Sequence, residues 1–86
     1  MSQGVVAGLQ IYPNPTDGEV TVDLTFGDGG IPLLIRVYSL PGVFIFEREV
    51  VTGDRLKLSL GDQVPGIYLL QIYVNGEWIS RKIIKR

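Results

Sequence analysis

The chain has no cysteine and no histidine among its 86 residues, and only one methionine and one tryptophan. Without cysteine, no disulfide can staple the fold and no thiolate can bind metal or attack a substrate. Without histidine, the Ser-His-Asp and Cys-His nucleophilic arrangements fall away, and so do the usual zinc sites. No stretch approaches the ~20 consecutive apolar residues of a transmembrane helix, so stable membrane insertion is not expected. Positive charge is scarce at first: no Lys or Arg precedes Arg36, whereas Arg81, Lys82, Lys85 and Arg86 crowd the end. The net charge of −1 argues against a nucleic-acid binder that relies on a broad basic surface.

What is present suits one small domain. A chain of this length buries about 60–65% of its unfolded surface, so its core must be well filled. Hydrophobic residues are 45% of the sequence, rich in Val, Ile and Leu, which permits that. At ~0.05–0.15 kcal/mol per residue, the expected stability is about 4–13 kcal/mol. Residues 1–8 read as an added start and a linker remnant. They lack the basic start and apolar run of a signal peptide. Residues 9–86 form the domain, expected to be a piece of a longer protein.

The dominant period is two. Val20, Val22 and Leu24 alternate with Glu19, Thr21 and Asp23, the pattern of a strand with one buried face. Leu56, Leu58 and Leu60 alternate with Arg55, Lys57 and Ser59 in the same way. Leu33, Ile35 and Val37 form another row, with Leu34 and Tyr38 suggesting partial cover on the opposite face. Residues 44–46 and 67–74 are more continuously apolar, which suggests central strands. Turn signals separate these runs: Pro13-Asn14-Pro15-Thr16-Asp17-Gly18, Gly27-Asp28-Gly29-Gly30, Pro41-Gly42, Thr52-Gly53-Asp54, Gly61-Asp62 with Pro65-Gly66, and Asn75-Gly76. The last is the strongest hairpin signal, because a type I′ turn needs positive φ at two successive residues. Strands are therefore expected near 8–12, 19–25, 33–39, 43–50, 55–60, 67–74 and 77–84. The fold class is all-β: a seven-stranded, antiparallel, immunoglobulin-like β-sandwich with no helix.

Few residues could carry chemistry. Paired carboxylates are the one catalytic option left, and Glu47 and Glu49 share a strand face. A solvated face explains them better, because a sandwich this small has little room for a cleft. Asp17 and Asp28 lack the alternating acidic spacing of a calcium loop and read as turn formers. Residues 27–30 form no phosphate loop, since no Lys-Ser/Thr follows. Neither a catalytic residue, nor a metal site, nor a cofactor is expected. Trp78 with Tyr12, Tyr38, Tyr68 and Tyr73 could stack on sugars only if the rings were exposed and coplanar. Tyr68, in step with Leu70 and Ile72, reads as core.

Three segments resemble the C-terminal sorting domain of type IX secretion, found in proteins of Bacteroidetes and relatives. Tyr12-Pro13-Asn14-Pro15, followed by Gly18 and Val20-Thr21-Val22, resembles the family's opening. Ile35-Arg36-Val37-Tyr38-Ser39-Leu40 with Gly42 is similar to its middle motif. Pro65-Gly66-Ile67-Tyr68-Leu69-Leu70-Gln71-Ile72, ending in Lys82-Ile83-Ile84-Lys85, resembles its closing motif. The likeness spans residues 11–85. The family usually has Asp where Ser39 stands and often a basic residue where Val43 stands.

The resemblance implies a sorting address and not an enzyme. A cargo domain would precede it, and the outer-membrane secretion shuttle would recognise it. A sortase would then remove it, and the cargo would be released or attached at the cell surface. The residues implied in partner recognition are Gly66, Tyr68, Lys82, Lys85 and Arg86. Gly66 would bend the chain into the sixth strand, Tyr68 would anchor that strand, and Lys82, Lys85 and Arg86 would project outward. The competing expectation is an accessory carbohydrate-binding or adhesion sandwich of a secreted hydrolase.

Overall fold

The computed structural model describes residues 9–25 and 29–86. The expected linker remnant at 1–8, and Asp28, lie outside them. Seven strands follow in order: β1 (Gln10–Tyr12), β2 (Glu19–Asp23), β3 (Pro32–Ser39), β4 (Phe44–Val51), β5 (Arg55–Ser59), β6 (Gly66–Val74) and β7 (Glu77–Lys85). One sheet runs β1-β2-β5 and the other β4-β3-β6-β7, and all strand pairs are antiparallel. This is an immunoglobulin-like sandwich with the fourth strand placed beside the third. No helix occurs among the described residues.

The period-two rows supply the core. Val20, Val22, Leu24, Leu58 and Leu60 from the smaller sheet meet Leu33, Ile35, Val37, Leu70, Ile72, Val74 and Ile83 from the larger. Burying one such aliphatic side chain is worth about 1.5–3 kcal/mol. Tyr68 joins them at 2% exposure. Its hydroxyl donates to the Val64 carbonyl, four residues back in the β5–β6 connection. That is the tyrosine corner of immunoglobulin-like folds, which stitches a crossover loop to the strand it feeds.

The β6–β7 hairpin closes through Asn75 and Gly76 at φ 51° and 80°, as a type I′ turn demands. Residues 66–74 are central, between β3 and β7. The expectation for residues 44–46 needs correction, because β4 is an edge strand. Its apolar run has another cause. The register slips so that Val37 faces Phe46 while Tyr38 faces Phe44, leaving Ile45 as the extra residue. Such a bulge breaks the alternation, and Ile45 and Phe46 both reach the core. Ser39 serves the β3–β4 turn, where its Oγ accepts the Val43 N–H at 3.3 Å.

The sandwich measures 35 × 21 × 20 Å, and the registers define its two ends. At one end Gln10 pairs with Asp23 and Asp23 with Arg55, near Pro32, Val51 and the Asn75-Gly76 turn. At the other, Glu19 pairs with Ser59 and Gly66 with Lys85. The chain therefore enters the fold at one end and displays its last residues at the opposite one.

Candidate functional site: the clasped carboxyl-terminal strand

After β1, residues 13–16 leave the smaller sheet and run along the outer edge of β7. There the Asn14 side chain acts as a piece of backbone. Its Nδ2 donates to the Lys82 carbonyl at 2.8 Å, and its Oδ1 accepts the Ile84 N–H at 2.9 Å. Thr16 continues the pairing: its N–H donates to the Ile84 carbonyl, and its own carbonyl accepts the Arg86 N–H, both at 2.8 Å. Thr16 and Lys85 form a parallel bridge. The segment is itself held, since Thr16 Oγ1 donates to the Glu19 carbonyl and accepts the Gly18 N–H at 3.0 Å. Gly18 suits this place, because its φ of +153° is one that L side chains rarely adopt and a Cβ would sit a tight 3.3 Å from the Gly61 Cα. Residues 14–16 and 82–86 thus meet at one sheet edge.

The basic residues of the tail divide by face. Ile79, Ile83 and Lys85 share the inner parity of β7, and Lys82 and Ile84 the outer. Lys82 and Arg86 are exposed as expected. Lys85 is not: it is 8% exposed, and its Nζ donates to the Gly61 carbonyl at 3.3 Å and to the Gln63 carbonyl. The outward projection expected of Lys85 is corrected by its parity, which it shares with buried Ile83. It ties β7 to the loop leading to Tyr68. Arg86 Nε lies 3.4 Å from Asp17 Oδ1, an exposed pair of little energetic weight. Gly66 sits at φ +156°, a backbone angle L side chains rarely adopt, where the chain bends into β6. Tyr68 is core, as expected.

The open face of the larger sheet carries the other candidates. Tyr73 and Trp78 are cross-strand neighbours, 40% and 44% exposed, with ring centroids 4.9 Å apart at 47°. The rings are not coplanar, and the Arg36 guanidinium lies 4.8 Å over the Trp78 ring. The condition for a sugar platform is therefore not met. Arg36 Nε also donates to Glu47 Oε1 at 2.6 Å. That bond, more than the charge of Glu47 itself, raises the guanidinium's pKa. Glu47 and Glu49 are both exposed. Glu49 is the only acidic side chain lining a shallow, open concavity with Pro32, Leu34, Val51, Tyr73 and Asn75 among its walls. No group of three potential metal-ligating side chains occurs among the described residues.

These features define a class: a closed β-sandwich that grips its last strand at a sheet edge and shows that strand's outer side. The model of the secretion system C-terminal sorting domain family matches residues 10–86, and the chain belongs to that family. No curated protein sequence matches the chain. The family is that of type IX secretion and is not catalytic. The chain is thus a C-terminal sorting signal that interacts with the type IX machinery and implies export across the outer membrane to a secreted or cell-surface location.

Proposed function

We propose that the outer-membrane shuttle of the machinery reads the carboxyl end as a folded object, through exposed Lys82 and Arg86 on a strand held by Asn14 and Thr16. The observation that carries this reading is the clasp, whose four hydrogen bonds fix the backbone of residues 82–86. Gly66, Tyr68 and Lys85 act as positioning residues. Gly66 aims β6, Tyr68 anchors it, and Lys85 joins β7 to residues 61–63. Charge at the displayed end speeds encounter with an acidic partner and fades with salt.

The cargo enters from the far end of the sandwich, so a folded cargo domain leaves the clasped end accessible. A sortase then cuts at or before residues 2–8, and the cargo is released or attached to anionic lipopolysaccharide. The test is export of a fluorescent reporter joined to this chain in a bacterium that carries the system. The intact chain sends the reporter out, and removal of residues 82–86 retains it in the periplasm. Export that survives that deletion contradicts the reading.

A further inference from the structure

The outer edge of β7 is only half occupied. The clasp fixes the direction of each group: the Lys82 carbonyl, both Ile84 groups and the Arg86 N–H point away from β6. Backbone groups alternate sides along a strand, and β6 and β7 pair without a break over nine residues. The N–H and C=O of Trp78 and Ser80, and the N–H of Lys82, therefore point outward too. Among the described residues, no strand or bridge pairs with this stretch. Among the described residues the Ser80 carbonyl accepts the exposed Arg81 side chain, at 3.1 Å.

The other edges are poorer templates. β1 has three residues and β5 five. β4 is long but carries a bulge, a device that discourages pairing. The lower half of β7 has neither a proline nor a bulge. Exposed Trp78, Arg81 and Lys82 stand along it, and exposed Arg86 lies just beyond the strand's end.

We infer that the open half of β7, residues 78–82, accepts an extended acidic segment of the export machinery as an added β-strand. Main-chain hydrogen bonds to Trp78, Ser80 and Lys82 supply the grip. Acidic side chains opposite Lys82 on one face and Arg81 on the other, with an apolar one beside Trp78, supply the selection. The clasp above Lys82 sets where the guest strand must stop. The inference rests on the chain acting as a sorting signal and adds how that signal is held.

A proline at position 80 tests it. Ser80 turns its N–H outward, so Ser80→Pro removes one outer donor and blocks strand addition while every β6–β7 hydrogen bond stays. In the reporter assay, Ser80→Pro is expected to lower export about five- to thirty-fold, the loss carried by one or two backbone hydrogen bonds, with the thermal midpoint nearly unchanged. Arg81→Glu/Lys82→Glu, which leaves the backbone intact, is expected to lower export comparably; it decides the matter if Ser80→Pro proves unstable. Wild-type export from a folded Ser80→Pro chain overturns the inference while leaving the sorting role standing, and wild-type export from the charge-reversed chain overturns it together with the reading through Lys82. Concentration-dependent self-association abolished by Ser80→Pro also overturns the inference, and assigns the edge to a second copy. No export from the unsubstituted chain would instead contradict the sorting role.

Discussion

The upper and lower halves of β7 share one neighbour, β6, and differ in the other. Above Lys82, residues 14–16 and the residue 61–63 loop take up the strand's outer backbone groups and its inward lysine. Below it, the outer groups of Trp78 and Ser80 face no described strand. The same sheet therefore offers a fixed end and an open edge within nine residues. Position along a strand, more than composition, decides which part is structural and which is free for another protein.

Substitutions around the fixed end separate the two halves. Tyr68→Ala removes the corner that both halves depend on. It is expected to cost about 3–5 kcal/mol, a large part of the total stability, and to leave the chain largely unfolded by circular dichroism. Tyr68→Phe keeps the ring and loses only the bond to Val64, for about 1–2 kcal/mol by denaturant titration. Lys85→Ala removes a charged donor from two carbonyls and is expected to cost about 1.5–3 kcal/mol, with faster amide exchange in residues 83–86. If Lys85→Ala leaves stability unchanged, its inward contacts carry no weight.

Asn14→Ala sharpens the contrast further. Its two bonds are exposed, so the cost is about 0.5–1.5 kcal/mol. The effect is local: exchange of the Ile84 amide should accelerate while that of Ile79, bonded to β6, stays slow. Equal acceleration at both would mean that the halves are not separate.

The smallest effect lies at the end where the chain enters. The Thr25 hydroxyl and N–H both donate to Asp23, at 2.5 and 2.9 Å. These bonds, helped by nearby Arg55, hold the Asp23 carboxyl below its ordinary value. A lowered folded-state pKa contributes stability above the unfolded value near 4, which is lost as pH falls through the folded one. Thr25→Ala should therefore raise the Asp23 midpoint by NMR titration and narrow the difference in stability between pH 5 and pH 3. An unchanged midpoint would show that Thr25 does not set it.

Much of this architecture is legible locally. Alternation places Val20, Val22, Leu58 and Leu70 correctly because a half-buried strand has no other solution. Asn75-Gly76 announces its turn because few residue pairs tolerate two positive φ angles. The clasp is hidden for the opposite reason. Asn14 reaches its partners across 68 and 70 residues, and its neighbourhood of prolines gives only a turn signal. Lys85 could have been placed by parity with Ile83, but a terminal lysine is ordinarily solvated. β4 misleads because one extra residue, Ile45, makes an edge strand look continuously apolar.

On the proposed reading the address is a folded edge that Asn14 holds and that displays Lys82 and Arg86, and not a run of basic residues alone. Amide exchange and reporter export measured together on Asn14→Ala test it most directly. The Ile84 amide should open and export should fall, though Lys82 and Arg86 are intact. Export at the level of the unsubstituted chain, with that amide demonstrably released, would contradict it.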